Sequence, residues 1–555
     1  MLDNEKIWVA SAGEEKLYLI PSMANRHGLI AGATGTGKTV TMRVLAEAFS
    51  NMGVPVFFSD VKGDLSGTCL KGEDTEDMAA RIQKFGIENW SYQSFPTRFW
   101  DIFGENGHKL RVTVSGMGPT LLSRLFGLTE VQAGVLNIVF RVADDHGLLL
   151  DDLKDLRQMV KYVGDNKAEF TTAYGNVTAA SIGAIQRALL AFEEEGGTEV
   201  FGRPELDIND WMTVDDEGRG YINILSANKL IQSPTVYATF LLWLLSELYE
   251  KLPEVGDCDK PKMIFFFDEA HLLFEDANKA LVSKIEQIVK LIRSKGVGVY
   301  FITQSPSDIP AAVLAQLSNR VQHALRAYTP DEQKAIKAAA KAFRTDSVAK
   351  TEEILKELGV GEALVSFLDE TGIPNLVQRA AVLPPQSKMG PATPSQVARV
   401  INSSEMEDKY RETDDRESAY EILVKAQEEI AQQLQLAAEE EAAEKQRIAE
   451  EKAAAKAAAA EEKAAAKAAK AEAKAAALAA KNSPGAKAKS YTQKAVTSAA
   501  SSVSRSISTN IVNTLAGGKK VSAATMAKRA ATNALSSVLR NGTSGILRGL
   551  FGNKK

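Results

Sequence analysis

Short apolar runs recur through the first 380 residues, each bounded by glycine or polar positions. LIA at 29–31, VPVFFSD at 54–60, YINIL at 221–225, KMIFFFD at 262–268 and GVGVYFIT at 296–303 read as strands. The stretches between them change to helical spacing: Val40–Gly53, Glu130–His146, Ser181–Glu195, the long apolar Thr235–Leu252, and Asn278–Lys295. Residues 100–200 read as helical throughout. Strands that are apolar at every position must be covered on both faces, and alternation with helices gives the cover. The pattern predicts an α/β fold with a mainly parallel sheet. Ahead of it, KIWVAS and KLYLIP alternate apolar and polar residues and predict a small β hairpin within 1–25.

The pattern fades after about Leu383. PPQSKMGPATPS is proline-rich, and 386–402 is expected to be a linker. Residues 403–481 are dominated by Ala, Glu, Lys and Gln, which favours a long solvated helix. Alanine supplies nearly all its apolar content, so it lacks the large residues of a coiled-coil seam. NSPG at 482–485 breaks that helix and opens a tail over 482–555. The expected organisation is therefore a hairpin (1–25), an α/β core (26–385) with a helical insertion at about 100–220, a linker, a helix and a tail.

Charge changes the picture at the C-terminal end. The formal net charge is −5, but from Lys481 onward there are 13 Lys and Arg and no acid, leaving 53 basic against 71 acidic residues in 1–480. A basic tail on an acidic body suggests an anionic partner, with sequence-independent contact to DNA phosphates as one reading. Only Tyr491 and Phe551 could stack on bases. Val503, Ile507, Ile511 and Leu515 at fourfold spacing leave open a basic helix on anionic lipid or a protein partner, and a solubilising tail is the third reading. MLDNEKIWVA has no basic-then-apolar leader, and the most apolar segment, Tyr237–Leu245, is too short to span a bilayer. No integral membrane segment and a cytoplasmic location are expected. Cys69 and Cys258 have no paired or metal-ligand spacing and are expected to be free thiols.

The chemistry begins at LIAGATGTGKTVTM. Gly32, Ala33, Thr34, Gly35, Thr36, Gly37, Lys38 and Thr39 fit G-x-x-x-x-G-K-[ST], between a strand end and a helix start. Glycines let successive N–H groups turn inward around a polyphosphate, and the helix N-terminus adds partial positive charge. Lys38 would reach the β and γ phosphates, and the Thr39 hydroxyl would face Mg²⁺. MIFFFDEAH delivers Asp268 and Glu269 to the C-terminal edge of a buried strand, where α/β sheets bind ligands. Asp268 would hold the hydration shell of Mg²⁺, and Glu269 would polarise the attacking water. VYFITQSPSDIP ends the next strand at Gln304, placed to sense the γ-phosphate or orient water; a simple polar strand cap is the alternative. Arg293, at the end of the intervening helix, could reach a nucleotide on a neighbouring subunit, with Arg320 and Arg326 as rivals. DVKGD at 60–64 closes a strand at the same edge and reads equally as a helper at the metal or subunit contact and as a turn. His271 completes the letters DEAH, but a packing or surface histidine is at least as good a reading.

GATGTGKT, SDVKGDLSG, FFFDEAHLLF, IRSKGVGVYFITQSPSDIP and LSNRVQHALRAYTP together resemble the HerA/FtsK group of P-loop motor ATPases, and more closely the bacterial HerA-like helicases, over about residues 5–385. The resemblance implies a RecA-like P-loop NTPase core, ATP and Mg²⁺ as cofactors, a homohexameric ring and DNA translocation. By position, Lys38 and Thr39 match the Walker A pair, Asp268 and Glu269 match Walker B, Gln304 matches the sensor and Arg293 the arginine finger. Two other functions share these residues. One is a secretion- or conjugation-type ATPase moving protein or DNA cargo. The other is an ATP-switched nucleic-acid-binding scaffold, against which the intact Asp268–Glu269 pair argues.

Overall fold

In the computed structural model the apolar runs become neighbours in one sheet. The structure describes residues 1–481 except 4, 88–89, 257, 275–278 and 327–328. The basic tail, 482–555, lies outside the described residues, and with it the readings placed on that tail. The chain divides into two units, Met1–Glu421 and Ile422–Lys555.

Among its described residues the first unit carries thirteen strands. In chain order they are β1 (Leu2–Asp3), β2 (Lys6–Ala12), β3 (Glu15–Leu19), β4 (Gly28–Ala31), β5 (Val56–Asp60), β6 (Thr97–Asp101), β7 (His108–Lys109), β8 (Ile222–Ser226), β9 (Met263–Phe267), β10 (Val297–Thr303), β11 (Asn319–His323), β12 (Glu362–Ser366) and β13 (Gln378–Val382). Their order across the sheet is β1-β2-β13-β12-β11-β4-β10-β9-β5-β8-β6-β7, with β3 paired to β2. From β11 to β7 every pairing is parallel; from β11 back to β1 every pairing is antiparallel. The fold is α/β with a mostly parallel, mixed sheet and many helices.

The five predicted strands lie where expected, as β4, β5, β8, β9 and β10. Every residue of β4, β5, β9 and β10 is buried, so both faces are covered. In-register pairing puts Phe57 beside Phe265 and Phe58 beside Phe266. Alternation along each strand then builds an aromatic layer on each face. Phe58, Phe266 and Tyr300 line one, with ring centroids 5.1 and 5.3 Å apart. Phe57, Phe265, Phe267 and Phe301 line the other. Burial of each ring contributes about 1.5–3 kcal/mol.

The predicted hairpin forms as β2 and β3, but β2 also pairs with β13 and so belongs to the main sheet. The helical insertion starts later than residue 100. β6 and β7 first extend the sheet, and five helices follow between Val114 and Glu194. β6 hides from an apolar-run reading because TRFWD buries charge: the Arg98 guanidinium lies 3.7 Å above the Tyr221 ring and donates to Thr213 Oγ1 at 2.8 Å. Two of the helices carry capping boxes, Thr129 with Gln132 and Asp152 with Asp155, which satisfy N-terminal amides locally.

The stretch expected as a linker packs on the core instead. Glu47, buried in the helix Lys38–Asn51, accepts from Gln386 N at 2.7 Å and Ser387 N at 3.1 Å. Arg43, one turn earlier, donates to the carbonyls of Asp64, Lys388 and Gly390. Proline-rich composition gave no sign of these contacts, because they use backbone groups of 386–390. Helices Pro394–Asn402 and Met406–Tyr410 follow.

The described part of the second unit lies in the helix Ala419–Lys481, which starts later than the expected 403 because 406–410 forms a short helix of its own, and which continues to the last described residue. At ~1.5 Å per residue it runs about 95 Å. Beyond Ala431 its described side chains are exposed, and Glu441–Lys445 is one of its i,i+4 pairs at 2.7 Å. Cys69 and Cys258 are free. Among the described residues no helix is long and apolar enough to cross a membrane.

Candidate active site

β4 runs into the glycine loop, and the loop into the helix Lys38–Asn51. Gly37 caps that helix at φ 117°, in the left-handed region, where side chains are strained. Gly32 is required by space: a Cβ there would lie 2.5 Å from Cβ of His323. The loop is tied at four points. Gly32 N donates to Thr303 O (3.2 Å), Ala33 N to Ala324 O (2.8 Å), Thr36 Oγ1 to Ala33 O (2.7 Å), and Gly361 N to Thr36 O (2.9 Å). Thr34 and Gly35 form the exposed tip.

Lys38 Nζ donates to the carbonyls of Gly32 (2.6 Å) and Ala33 (3.2 Å), so the ammonium lies over the loop's concave side. Burial lowers its pKa, opposed by the charges of Glu269 and Asp268 and reinforced by that of Lys62. Thr39 is in the first turn of the same helix, at the same sheet edge.

The two acids arrive at that edge on β9. β4 and β9 both pair with β10, so one strand separates the loop from the acids. Asp268 and Glu269 are both buried. Glu269 is held at φ 46°, ψ 48°, and its N–H donates to Asp268 Oδ1 at 2.9 Å. Glu269 Oε1 accepts from Lys62 Nζ at 2.7 Å; Oε2 lies 3.5 Å from Gln304 Nε2 and 3.4 Å from His271 Nδ1. Burial and the neighbouring Glu269 charge push Asp268 up to about 6. Burial also pushes Glu269 upward, but Lys62 outweighs it and holds that carboxyl below its ordinary value.

β5, adjacent to β9, adds Asp60, whose carboxylate accepts from Gly63 N (2.8 Å) and Leu65 N (3.1 Å) and fixes the DVKGD turn. Burial, then the Asp64 charge, push Asp60 up to about 7. Several carboxylates thus share one edge, an excess of negative charge that a dication would relieve. Among the described residues no group of three or more His, Cys, Asp or Glu forms a metal cage. One buried carboxylate plus the Thr39 hydroxyl suits Mg²⁺, which keeps waters and takes phosphate oxygens as its other ligands.

The sequence-predicted residues Gly32–Thr39, Asp268, Glu269 and Gln304 therefore meet at one edge. Arg293 does not. It precedes β10, while Gln304 follows it, and seven residues at ~3.3 Å each put Arg293 about 20 Å away at the opposite edge. Of its rivals, Arg320 is half-buried and donates to the carbonyls of Leu317, Leu314 and Ala342. Arg326 is exposed just beyond β11, at the loop's edge.

Two residues at the site escaped individual notice in the sequence. Lys62 lies inside DVKGD, singled out as a unit. His323 lies inside NRVQH, a strand too polar for an apolar-run search. Its Nδ1–H donates to Glu362 O at 2.9 Å, so Nε2 accepts from the Thr41 hydroxyl at 2.8 Å. Burial lowers its pKa to about 4, which keeps the ring neutral in this role.

A Methanocaldococcus jannaschii protein described as "Probable helicase MJECL08" is 29% identical over 154 residues, 26% of this chain. The match spans only 28% of that relative's length. Among solved structures, the bacterial conjugative coupling protein TrwBdeltaN70 is similar over 69% of this chain and 89% of its own, at 14% identity and TM-score 0.45. VirB4 of Thermoanaerobacter pseudethanolicus is similar over 69% of this chain and 96% of its own, at 14% identity and TM-score 0.45. TrwB in complex with ADP and Mg²⁺ gives 15% identity, coverages of 71% and 93%, and TM-score 0.44. The family model described as "Helicase HerA-like C-terminal" matches residues 5–521, nearly the whole chain, and the chain belongs to that family.

Proposed function

We propose that this protein is an ATP-hydrolysing motor that moves along DNA as an oligomeric, homohexameric ring. One observation carries the hydrolytic part: the ammonium of Lys38, on the glycine loop, lies in the field of Glu269 and Asp268, which come from a strand two places away.

In this reading the N–H groups of residues 32–39 and the Lys38 ammonium bind the phosphates of ATP. Lys38 exchanges the Gly32 and Ala33 carbonyls for phosphate oxygens. Thr39 and Asp268 would hold Mg²⁺, which when bound neutralises charge on the β and γ phosphates. Glu269 orients a water and takes its proton. The water oxygen bonds to the terminal phosphorus, the bond to the bridging oxygen breaks, and its electron pair leaves with ADP. Gln304, beside Glu269, orients the same water or reads the terminal phosphate. Arg293, remote from its own loop, acts on the nucleotide of a neighbouring subunit.

Family membership supports DNA as cargo, as does the basic stretch beyond Lys481. The test is steady-state ATP hydrolysis by the full chain with and without duplex DNA, at low and high salt. DNA should stimulate turnover, salt should weaken the stimulation, and Lys38→Ala should abolish turnover. Turnover indifferent to DNA at low salt but raised by a protein partner would move the assignment to a secretion-type ATPase. Nucleotide binding without turnover would leave a switch.

A further inference from the structure

Glu269 is already engaged. Its Oε1 is held by Lys62 at 2.7 Å, and Oε2 faces Gln304 and His271. An ionised carboxylate has several lone pairs, and Lys62 takes one on the oxygen that faces β5, where its charge also draws electron density away from the base.

The two partners differ in freedom. The Glu269 side chain is 7% exposed, and its backbone is fixed in the left-handed region by the N–H bond to Asp268. Lys62 sits on a turn whose backbone is pinned by Asp60, but its side chain is 43% exposed, so the four-carbon stem can swing while its Cα stays. Lys62 reaches Glu269 from the turn after β5, on one side of β9, and Lys38 rises from the loop after β4, two strands away on the other side. The charges of Glu269 and Asp268 act on both ammonium groups. A terminal phosphate seated on Lys38 would offer Lys62 more negative charge and more acceptor oxygens than Glu269 does.

We propose that Lys62 is a further active-site residue that exchanges between Glu269 and the terminal phosphate of a bound nucleoside triphosphate, freeing Glu269 for water only when that phosphate is present. A diphosphate on the same loop leaves Lys62 on Glu269. The proposal rests on the nucleotide-hydrolysing reading above and adds how the site distinguishes its substrate from its product.

The test is equilibrium binding of ADP and of a slowly hydrolysed ATP analogue, with Mg²⁺, to the full chain and to Lys62→Met, Lys62→Arg and Lys38→Ala. In Lys62→Met the preference for the analogue over ADP should fall by about tenfold, the worth of one charge-assisted contact, while ADP affinity stays within about twofold. Lys62→Arg should restore most of the preference. An unchanged preference in Lys62→Met, or equal loss of both nucleotides as from a merely structural ion pair, overturns the exchange. Failure of the unaltered chain to bind either nucleotide is a separate result and overturns the underlying site as well.

Discussion

The hydroxyl of Thr41 donates to Nε2 of His323 across 2.8 Å, joining the first turns of the phosphate-loop helix to the end of β11. The same imidazole donates to the Glu362 carbonyl, and its Cβ fills the space a side chain at Gly32 would need. His323 is thus a floor under the loop.

Removing that floor should loosen the loop. His323→Ala leaves Thr41 and the Glu362 carbonyl without their partner and opens a cavity, at a cost of about 2–4 kcal/mol. Nucleotide affinity should fall with it, by about tenfold, although His323 touches no phosphate in the proposed complex. Calorimetric titration with ADP alongside thermal unfolding checks both.

The histidines also give a signed pH effect. His27 and His323 are buried, and burial lowers both to about 4. Between pH 6.5 and 4 the unfolded chain takes up these protons and the native chain does not. Their stabilisation is complete above pH 6.5 and is lost as pH falls toward 4. Glu47 and Asp60, pushed up to about 7 by burial, act in the opposite sense over the same window. The informative quantity is therefore a difference. The stability advantage of the unaltered chain over His323→Gln should shrink by about 2 kcal/mol between pH 7 and pH 5. Urea unfolding at the two pH values measures it.

The buried contact between Glu47 and residues 386–387 makes a third prediction. Glu47→Ala removes the acceptor for the buried N–H and hydroxyl of Ser387 and the half-buried N–H of Gln386, and should destabilise the first unit by about 2–4 kcal/mol. Hydrogen exchange should rise first at Gln386 and Ser387. A proline-rich segment that hung free would show no change there.

How much of this was legible in the sequence depends on which groups do the holding. β4, β5, β9 and β10 were readable because Ile30, Phe57, Phe266 and Phe301 satisfy burial by being apolar, and an unbroken apolar run announces that. The placement of the loop and the acid pair at one edge was readable because each follows directly on a buried apolar strand, β4 and β9. β6 and β11 were not, since Arg98, Asn319 and His323 are buried through partners distant in sequence. Asn319, for example, donates to the carbonyls of Met23 and His27 and accepts from Leu368 N. The packed 386–390 stretch was hidden for the same reason, since Arg43 and Glu47 bind its backbone. Lys62 carried no signal of its own until the sheet placed β5 beside β9.

Arg293 supplies a prediction that depends on assembly. Its distance from its own loop means Arg293→Ala should leave nucleotide affinity unchanged in a dilute single chain. Turnover of the assembled protein should fall about 10³-fold or more, as for other arginines acting in trans. Mixing Arg293→Ala with Lys38→Ala subunits should restore partial turnover, because each supplies what the other lacks. Arg326→Ala, tested in parallel, should do neither.

The most direct measurement compares Glu269→Gln with the unaltered chain in ATP binding and in single-turnover hydrolysis with Mg²⁺. Glutamine keeps the shape and a hydrogen bond but takes no proton. The variant should bind ATP as well as the unaltered chain and hydrolyse it at least about 100-fold more slowly. Hydrolysis by Glu269→Gln at the unaltered rate, or an unaltered chain that binds no ATP, would contradict the assignment of this sheet edge as the catalytic site.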